Sequence, residues 1–297
     1  MSTQTADAVS VPQPRARERA RKRPRKGQSP WIWVAVVAII IFCLFPFYWL
    51  INVSLKTGAD LSSSSLVPPH PSLKNYSSIF KNDDFTNGLK NSAIVAFSVT
   101  ILALAFGSFA AYALARLKMR GKFIVLGIVL SVTTFPQIAI AAPLFKLWTD
   151  IGLYNTRIGL IIPYLTFALP LTVYILVSFF REIPKDLEEA ALVDGATRFT
   201  AFRKIVIPLA APGLATAGIL TFIFAWNEFL LAVTLTSTPQ ARTVPAEIAF
   251  FTGSTEFEEP LGTISAASVV ISVPLIFLVL FFQKRIVAGL TAGAVKG

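Results

Sequence analysis

The sequence predicts an all-α membrane protein with six transmembrane helices, and three observations carry that prediction. The 297 residues are 54% hydrophobic and only 14% charged, too apolar for an ordinary water-soluble domain. Six near-continuous apolar runs reach or approach the roughly 20 residues that cross a bilayer. The basic residues cluster beside those runs, as membrane topology requires. A net charge of +11 would suit a nucleic-acid partner in magnitude, but this distribution argues against one.

Residues 1–29 are polar and basic, with eight Lys and Arg between Arg15 and Lys26, and read as a disordered tail on anionic lipid. The first apolar run, 31–51, is too long for a signal peptide, and no clear small-x-small cleavage site follows it, so it is expected to stay as a span. Cys43 inside it is expected to pack. Residues 52–90 form a polar loop with four serines at 62–65, Pro68-Pro69 and a short segment at 73–80. The second span, 89–114, is rich in Ala and Gly, which permit close helix contact. A basic turn with Arg116, Lys118, Arg120 and Lys122 leads to the third span, 123–145, which Pro136 and Pro143 interrupt. A loop at 146–157 carries Asp150 and Gly152, and the fourth span, 158–180, contains Pro163 and Pro170. The fifth is expected at 213–236 and the sixth at 264–282, with a loop at 237–262 and a basic tail at 283–297.

Six spans put both termini on one side, and Lys and Arg choose that side. The terminal arm holds eight, the 116–122 turn four, the 181–204 stretch five and the tail three, against seven in the three opposite loops. Both termini are therefore expected in the cytoplasm, in a multi-pass protein of the cell membrane.

The stretch 181–212 is the one long charged segment between two apolar blocks of the second half. It reads as two short helices. Pro184 suits a first turn, and Asp186, Glu188 and Glu189 favour a helix N-terminus. Gly195 suits a left-handed cap, and Thr197 can start the second helix. Phe199, Phe202, Ile205 and Val206 then fall three or four apart. An amphipathic surface loop without a partner would show the same physics.

Glu189-Ala190-Ala191, Asp194-Gly195-Ala196 and Ile205-Val206-Ile207-Pro208 resemble the EAA loop of binding-protein-dependent ABC importer permeases. That family pattern is EAA, three residues, Gly, nine residues, then I-x-LP. The spacing matches throughout, and Ile207 stands where Leu is usual. The resemblance covers residues 31–297. It implies the six-helix fold of type I ABC importer permeases, with 30–297 as the permease domain, and a coupling helix that docks on a cytoplasmic ATPase. The coupling residues it implies are Glu188, Glu189, Ala190, Ala191, Asp194, Gly195 and Ala196. Asn75-Tyr76 with Ile79-Phe80, Trp226-Asn227-Glu228-Phe229 and residues 283–290 resemble the sugar-importer branch, in particular its second permease subunit. Phe251-Thr252-Gly253-Ser254, Phe257-Glu258-Glu259-Pro260 and residues 292–297 look most like the trehalose type.

No chemistry of this chain's own is legible. Gly121-Lys122 is followed by Phe123, so no phosphate loop forms, and there is no H-E-x-x-H, paired-Cys or G-x-S-x-G signature. His70 lies between prolines in a loop. An enzyme is therefore not expected, and ATP and Mg are assigned to partner ATPase subunits. Within the fifth span Glu228 has two readings, a group on a water-filled path or a group solvated at the outer interface. Trp226 and Asn227 suit a sugar path, and Trp226 equally suits an interface anchor. The resemblance implies alternating access with a second homologous permease, two ATPase subunits and an extracytoplasmic sugar-binding protein. It places the binding-protein contact in the 237–262 loop, with Thr252, Gly253, Ser254, Thr255 and Glu256 as candidates. An amino-acid or peptide importer permease shares the EAA loop, and a membrane-embedded transferase or hydrolase is a further reading from another class.

Overall fold

The computed structural model of the chain describes residues 30–251 and 260–292. Among them all regular structure is helical. Two units divide within the first helix, between Phe45 and Pro46. That helix, α1, is Pro30–Ser54, an apolar rod with Pro46 inside it. Cys43, expected to pack, is exposed.

The second unit begins with the end of α1 and a polar knot. Lys56 is fully buried, and its ammonium donates to the carbonyls of Ser63 and Ser65, each at 2.9 Å, while lying 5.1 Å from the centre of the Trp49 ring. Asn52 and Tyr48 both donate to the Leu66 carbonyl. Asn75 donates to the carbonyls of Ser54 and Lys56 at 2.9 and 2.8 Å. The serine-rich loop is thus wrapped around an ammonium group rather than lying loose in water. Asn75 sits on α2, Lys74–Lys81.

Helix α3, Asp83–Arg116, has 34 residues, about 51 Å at 1.5 Å per residue, well beyond a hydrocarbon core of about 30 Å. It starts earlier than hydropathy alone suggests because Asn82 caps it, accepting from the amides of Asp84 and Phe85 at 2.8 and 3.3 Å. Its principal neighbours are α6, Arg157–Glu182, and α10, Ala211–Asn227. Small residues set these distances. A Cβ on Gly107 would stand 2.8 Å from Thr172 Cγ2, and Thr172 shares a 2.8 Å hydrogen bond with Thr221 across α6 and α10. Val95, Val99, Leu160, Tyr164 and Phe222 fill one part of this core, and Leu114, Val173, Leu176, Phe180 and Ala217 another.

The third span is broken, as its prolines predict, but only one of them breaks it. Helix α4, Lys122–Ser131, passes through a tight turn into α5, Gln137–Asp150, and the two limbs meet at 86°. Phe135 precedes Pro136 and takes the extended conformation that a following proline enforces, with ψ at 128°. Pro143 stays inside α5, as Pro163 and Pro170 stay inside α6.

The 181–212 stretch forms α7, Lys185–Val193, and α8, Arg198–Ala201, as two helices were expected. Pro184 lies one residue outside the first turn. The second helix continues beyond Ala201 and through Pro208. It runs through a π-helical turn, Phe202–Val206, into α9, Ile207–Leu209, and meets α10 at a 76° bend.

The fifth span differs most from expectation. Residues 213–236 are not one helix. Helix α10 stops at Asn227, Glu228 is extended, and α11, Leu230–Leu235, restarts the chain. Helix α12, Val244–Ile248, packs on α3, and α13, Leu261–Ala292, closes the unit with Pro274 inside. Helix α13 carries the sixth span onward through residues expected to be tail. Four helices are long and apolar enough to cross a membrane, and six spans result when each bent pair counts as one. The arm at 1–29, the 252–256 candidates and the last five residues lie outside the described residues.

Candidate coupling site

Helices α7 and α8 project from the end of α3 that carries Arg116. Gly195 has φ of +86°, the left-handed conformation its position predicted, and a Cβ there would meet nothing within 4 Å in this chain. The turn is closed by Ala196 N donating to Ala191 O at 2.9 Å and Gly195 N to Leu192 O at 3.1 Å. Thr197 caps α8 as expected, accepting from Thr200 N at 3.2 Å.

The faces of α7 separate the two adjacent glutamates. Glu189, Ala190, Asp194 and Gly195 are exposed, with Ala191 and Ala196 half-buried. Leu187, Val193 and Phe199 are apolar yet 46, 87 and 60% exposed, so the unit presents a mixed face of apolar side chains and carboxylates to its surroundings. Glu188 points the other way. It is 7% exposed, accepts a hydrogen bond from Tyr112 Oη, and its Oε2 lies 3.2 Å from Arg116 Nε. Glu188 therefore faces its own chain, not the outer face shared by the other coupling candidates.

The three path candidates also part company. Trp226 is buried, stacks on Phe222 at 5.5 Å and donates from Nε1 to Ile271 O at 3.1 Å, so it is a packing residue and not an interface anchor. Glu228 is buried, which overturns the solvated-interface reading. Its two oxygens accept from Leu231 N at 2.8 Å and Ala232 N at 3.1 Å, and Tyr164 sits beside it. A carboxylate on the free amides of a helix start is a favourable use of a buried charge, and it explains the restart at Leu230 without any proline or glycine. Asn227 is exposed, with its amide donating back to Ile223 O at 2.8 Å. His70 is exposed and lies 3.2 Å from Asp60.

The chain is a set of spans carrying an exposed, glycine-capped helix pair between its fourth and fifth spans. Residues 103–291 match the family described as "binding-protein-dependent transport system inner membrane component". The trehalose transport system permease protein SugB of Mycobacterium tuberculosis (strain CDC 1551 / Oshkosh) is 51% identical over 87% of this chain and 94% of that protein. The trehalose/maltose transport system permease protein MalG of Thermococcus litoralis is 43% identical over 86% of this chain and 93% of that protein. A chain of a bacterial ABC transporter involved in import of the acidic polysaccharide alginate superposes with a TM-score of 0.71 at 26% identity, covering 88% of this chain and 99% of that chain. The chain belongs to the inner membrane components of binding-protein-dependent transport systems. It is a multi-pass membrane permease of the type I ABC importer fold, and a transport subunit rather than an enzyme.

Proposed function

We propose that this permease is one of two homologous subunits of an ATP-driven disaccharide importer, with trehalose as cargo, and that the 181–212 unit couples it to the ATPase. The observation that carries the coupling reading is the exposed face of Leu187, Glu189, Val193, Asp194, Gly195 and Phe199, held on a tight turn outside the bundle. Trehalose is supported by the two relatives above, which belong to a trehalose and a trehalose/maltose transport system. The ATP and Mg belong to the two ATPase subunits. A sugar-binding protein delivers cargo from outside, and the 252–256 candidates are read as its contact. Asn227 is the path candidate that its exposure supports.

The test is Gly195→Asp. A Cβ at this position meets no atom of this chain within 4 Å, so loss of function would come from turn strain, from the added carboxylate or from a partner pressed against the turn. The variant should insert normally, fail to capture the ATPase or fail to stimulate it, and lose trehalose uptake. Wild-type capture, hydrolysis and uptake together would remove 181–212 as the coupling element. Orientation is tested on a Cys43→Ser background. Ser254→Cys should react with an impermeant thiol reagent in intact cells, and Thr200→Cys only after the membrane is opened. The cargo reading fails if cells lacking the gene take up trehalose normally.

A further inference from the structure

The 181–212 unit follows directly on α6, whose Phe180 meets Phe202 at 6.4 Å, and is tied to α3 through one stripe of that helix. Phe109, Tyr112 and Arg116 lie three and four residues apart and so share a face of the helix. Arg116 reaches two parts of the unit at once. Its Nη2 donates to the carbonyl of Ile183, in the link before α7, at 2.8 Å, and its Nε lies 3.2 Å from Glu188 Oε2. The two side chains are only 4 and 10% exposed. Tyr112 also reaches two parts. Its hydroxyl donates to the other oxygen of Glu188, and its ring lies 4.9 Å from that of Phe202 in the π-helical turn. Phe109 stacks on Phe199 at 6.5 Å and tilts against Phe202 at 5.3 Å.

Each half of the unit is therefore fastened to the same end of the same span, one half by an ion pair and the other by aromatic rings. A buried ion pair stabilises little relative to an apolar pair of the same shape, but separating its members strands a charge and is strongly disfavoured. Such a contact holds its two elements together through a movement better than it raises overall stability.

We infer that Arg116, Tyr112 and Glu188 form a latch that makes the 181–212 unit and α3 move as one body, so that displacement of the docked turn is delivered to α3 and, through Gly107 and Thr172, to α6. The three are positioning residues, and their role rests on the coupling reading above. In that role Glu188 serves the transmission of movement and not the docking face.

The experiment uses the whole transporter in membrane vesicles. Membrane abundance, co-purified ATPase, ATP hydrolysis and sugar uptake are measured together for Arg116→Met, Glu188→Gln, Tyr112→Phe and Arg116→Met/Glu188→Gln. Sugar moved per ATP should fall about tenfold in the first two and about threefold in Tyr112→Phe, the scale of effects along coupled networks. ATPase capture should persist, and the double variant should be no worse than the worse single, because the pair acts as a unit. Arg116→Lys should recover part of the loss. Tyr112→Phe removes one hydroxyl and leaves the ring on Phe202, so it keeps the test open if Arg116→Met is poorly inserted. Wild-type sugar moved per ATP in Tyr112→Phe and Glu188→Gln overturns the latch. So does a fall in uptake that only follows a fall in abundance. Loss of capture in Gly195→Asp together with intact coupling in the latch variants would remove the latch and leave the docking reading standing.

Discussion

The two ends of α3 each hold a buried Arg–Glu pair, and they hold it differently. Near the start of the helix, Asn91 donates to the carbonyls of Pro239 and Arg242 at 3.0 and 2.9 Å and accepts from Arg157 at 2.8 Å. Ser92 accepts from Val244 N at 2.8 Å. Arg242 pairs with Glu247 at 3.0 Å, donates to Ser237 O at 2.8 Å and lies 3.9 Å from the centre of the Phe250 ring. Asn155, at φ of +57°, accepts from the amides of Ser237 and Thr238. Many short-range contacts, most of them to backbone, share the load there. At the other end the polar attachment rests on Arg116, Tyr112 and Glu188. The first arrangement suits a loop base that must keep its shape. The second suits a joint through which a single displacement passes.

That contrast breaks first at the glutamates. Glu188→Ala and Glu247→Ala each leave a buried guanidinium without its carboxylate, which costs about 3–5 kcal/mol. Each guanidinium keeps one carbonyl, Ile183 O for Arg116 and Ser237 O for Arg242, but Arg242 also keeps the Phe250 face, so Glu247→Ala should fall at the low end of that range and leave sugar moved per ATP unchanged. Thermal unfolding in detergent, read beside uptake, checks both. A larger melting shift for Glu247→Ala would invert the comparison.

The next largest effect belongs to Asn91→Leu, which removes three hydrogen bonds worth about 1 kcal/mol each. Limited proteolysis should then cut within 237–251 sooner than in wild type, while ATPase capture is unaffected. If capture falls, the two ends of α3 are not independent. Glu228→Ala should cost about 1–2 kcal/mol as a lost helix cap, and Glu228→Gln less, with trehalose uptake retained in the latter. Abolished uptake by Glu228→Gln, at normal thermal stability, would restore Glu228 to the path. The smallest effect is Gly195→Ala, about 1 kcal/mol for a side chain at positive φ with no clash in this chain. Its melting temperature should barely move, so a large loss of uptake in Gly195→Ala would measure the partner's fit.

What was legible in the sequence follows the range of the physics involved. The spans are apolar runs, and Gly195 and Thr197 act on their own turn, so each could be read locally. Glu188 could not, because the hydroxyl that turns it inward comes from Tyr112, 76 residues earlier. The break at Glu228 was hidden because apolar residues continue on both sides of it, and hydropathy does not register a carboxylate that caps a new helix. Pro136 bends its span by 86° while Pro143, Pro163 and Pro170 do not break theirs, so residue type alone did not say which proline would act. The π-helical turn at 202–206 left no mark that periodicity could find.

Lys56 carries a consequence of a different kind. During synthesis it is a naked positive charge just beyond the first apolar run, where it weighs against the orientation that the rest of the chain favours. Once folded it is fully enclosed by the carbonyls of Ser63 and Ser65 and the Trp49 ring. The same ammonium thus counts against the expected orientation in the nascent chain and organises the loop in the finished one. Replacing it with methionine should pull these apart, giving a chain that enters the membrane more uniformly and then fails to close the 57–72 loop.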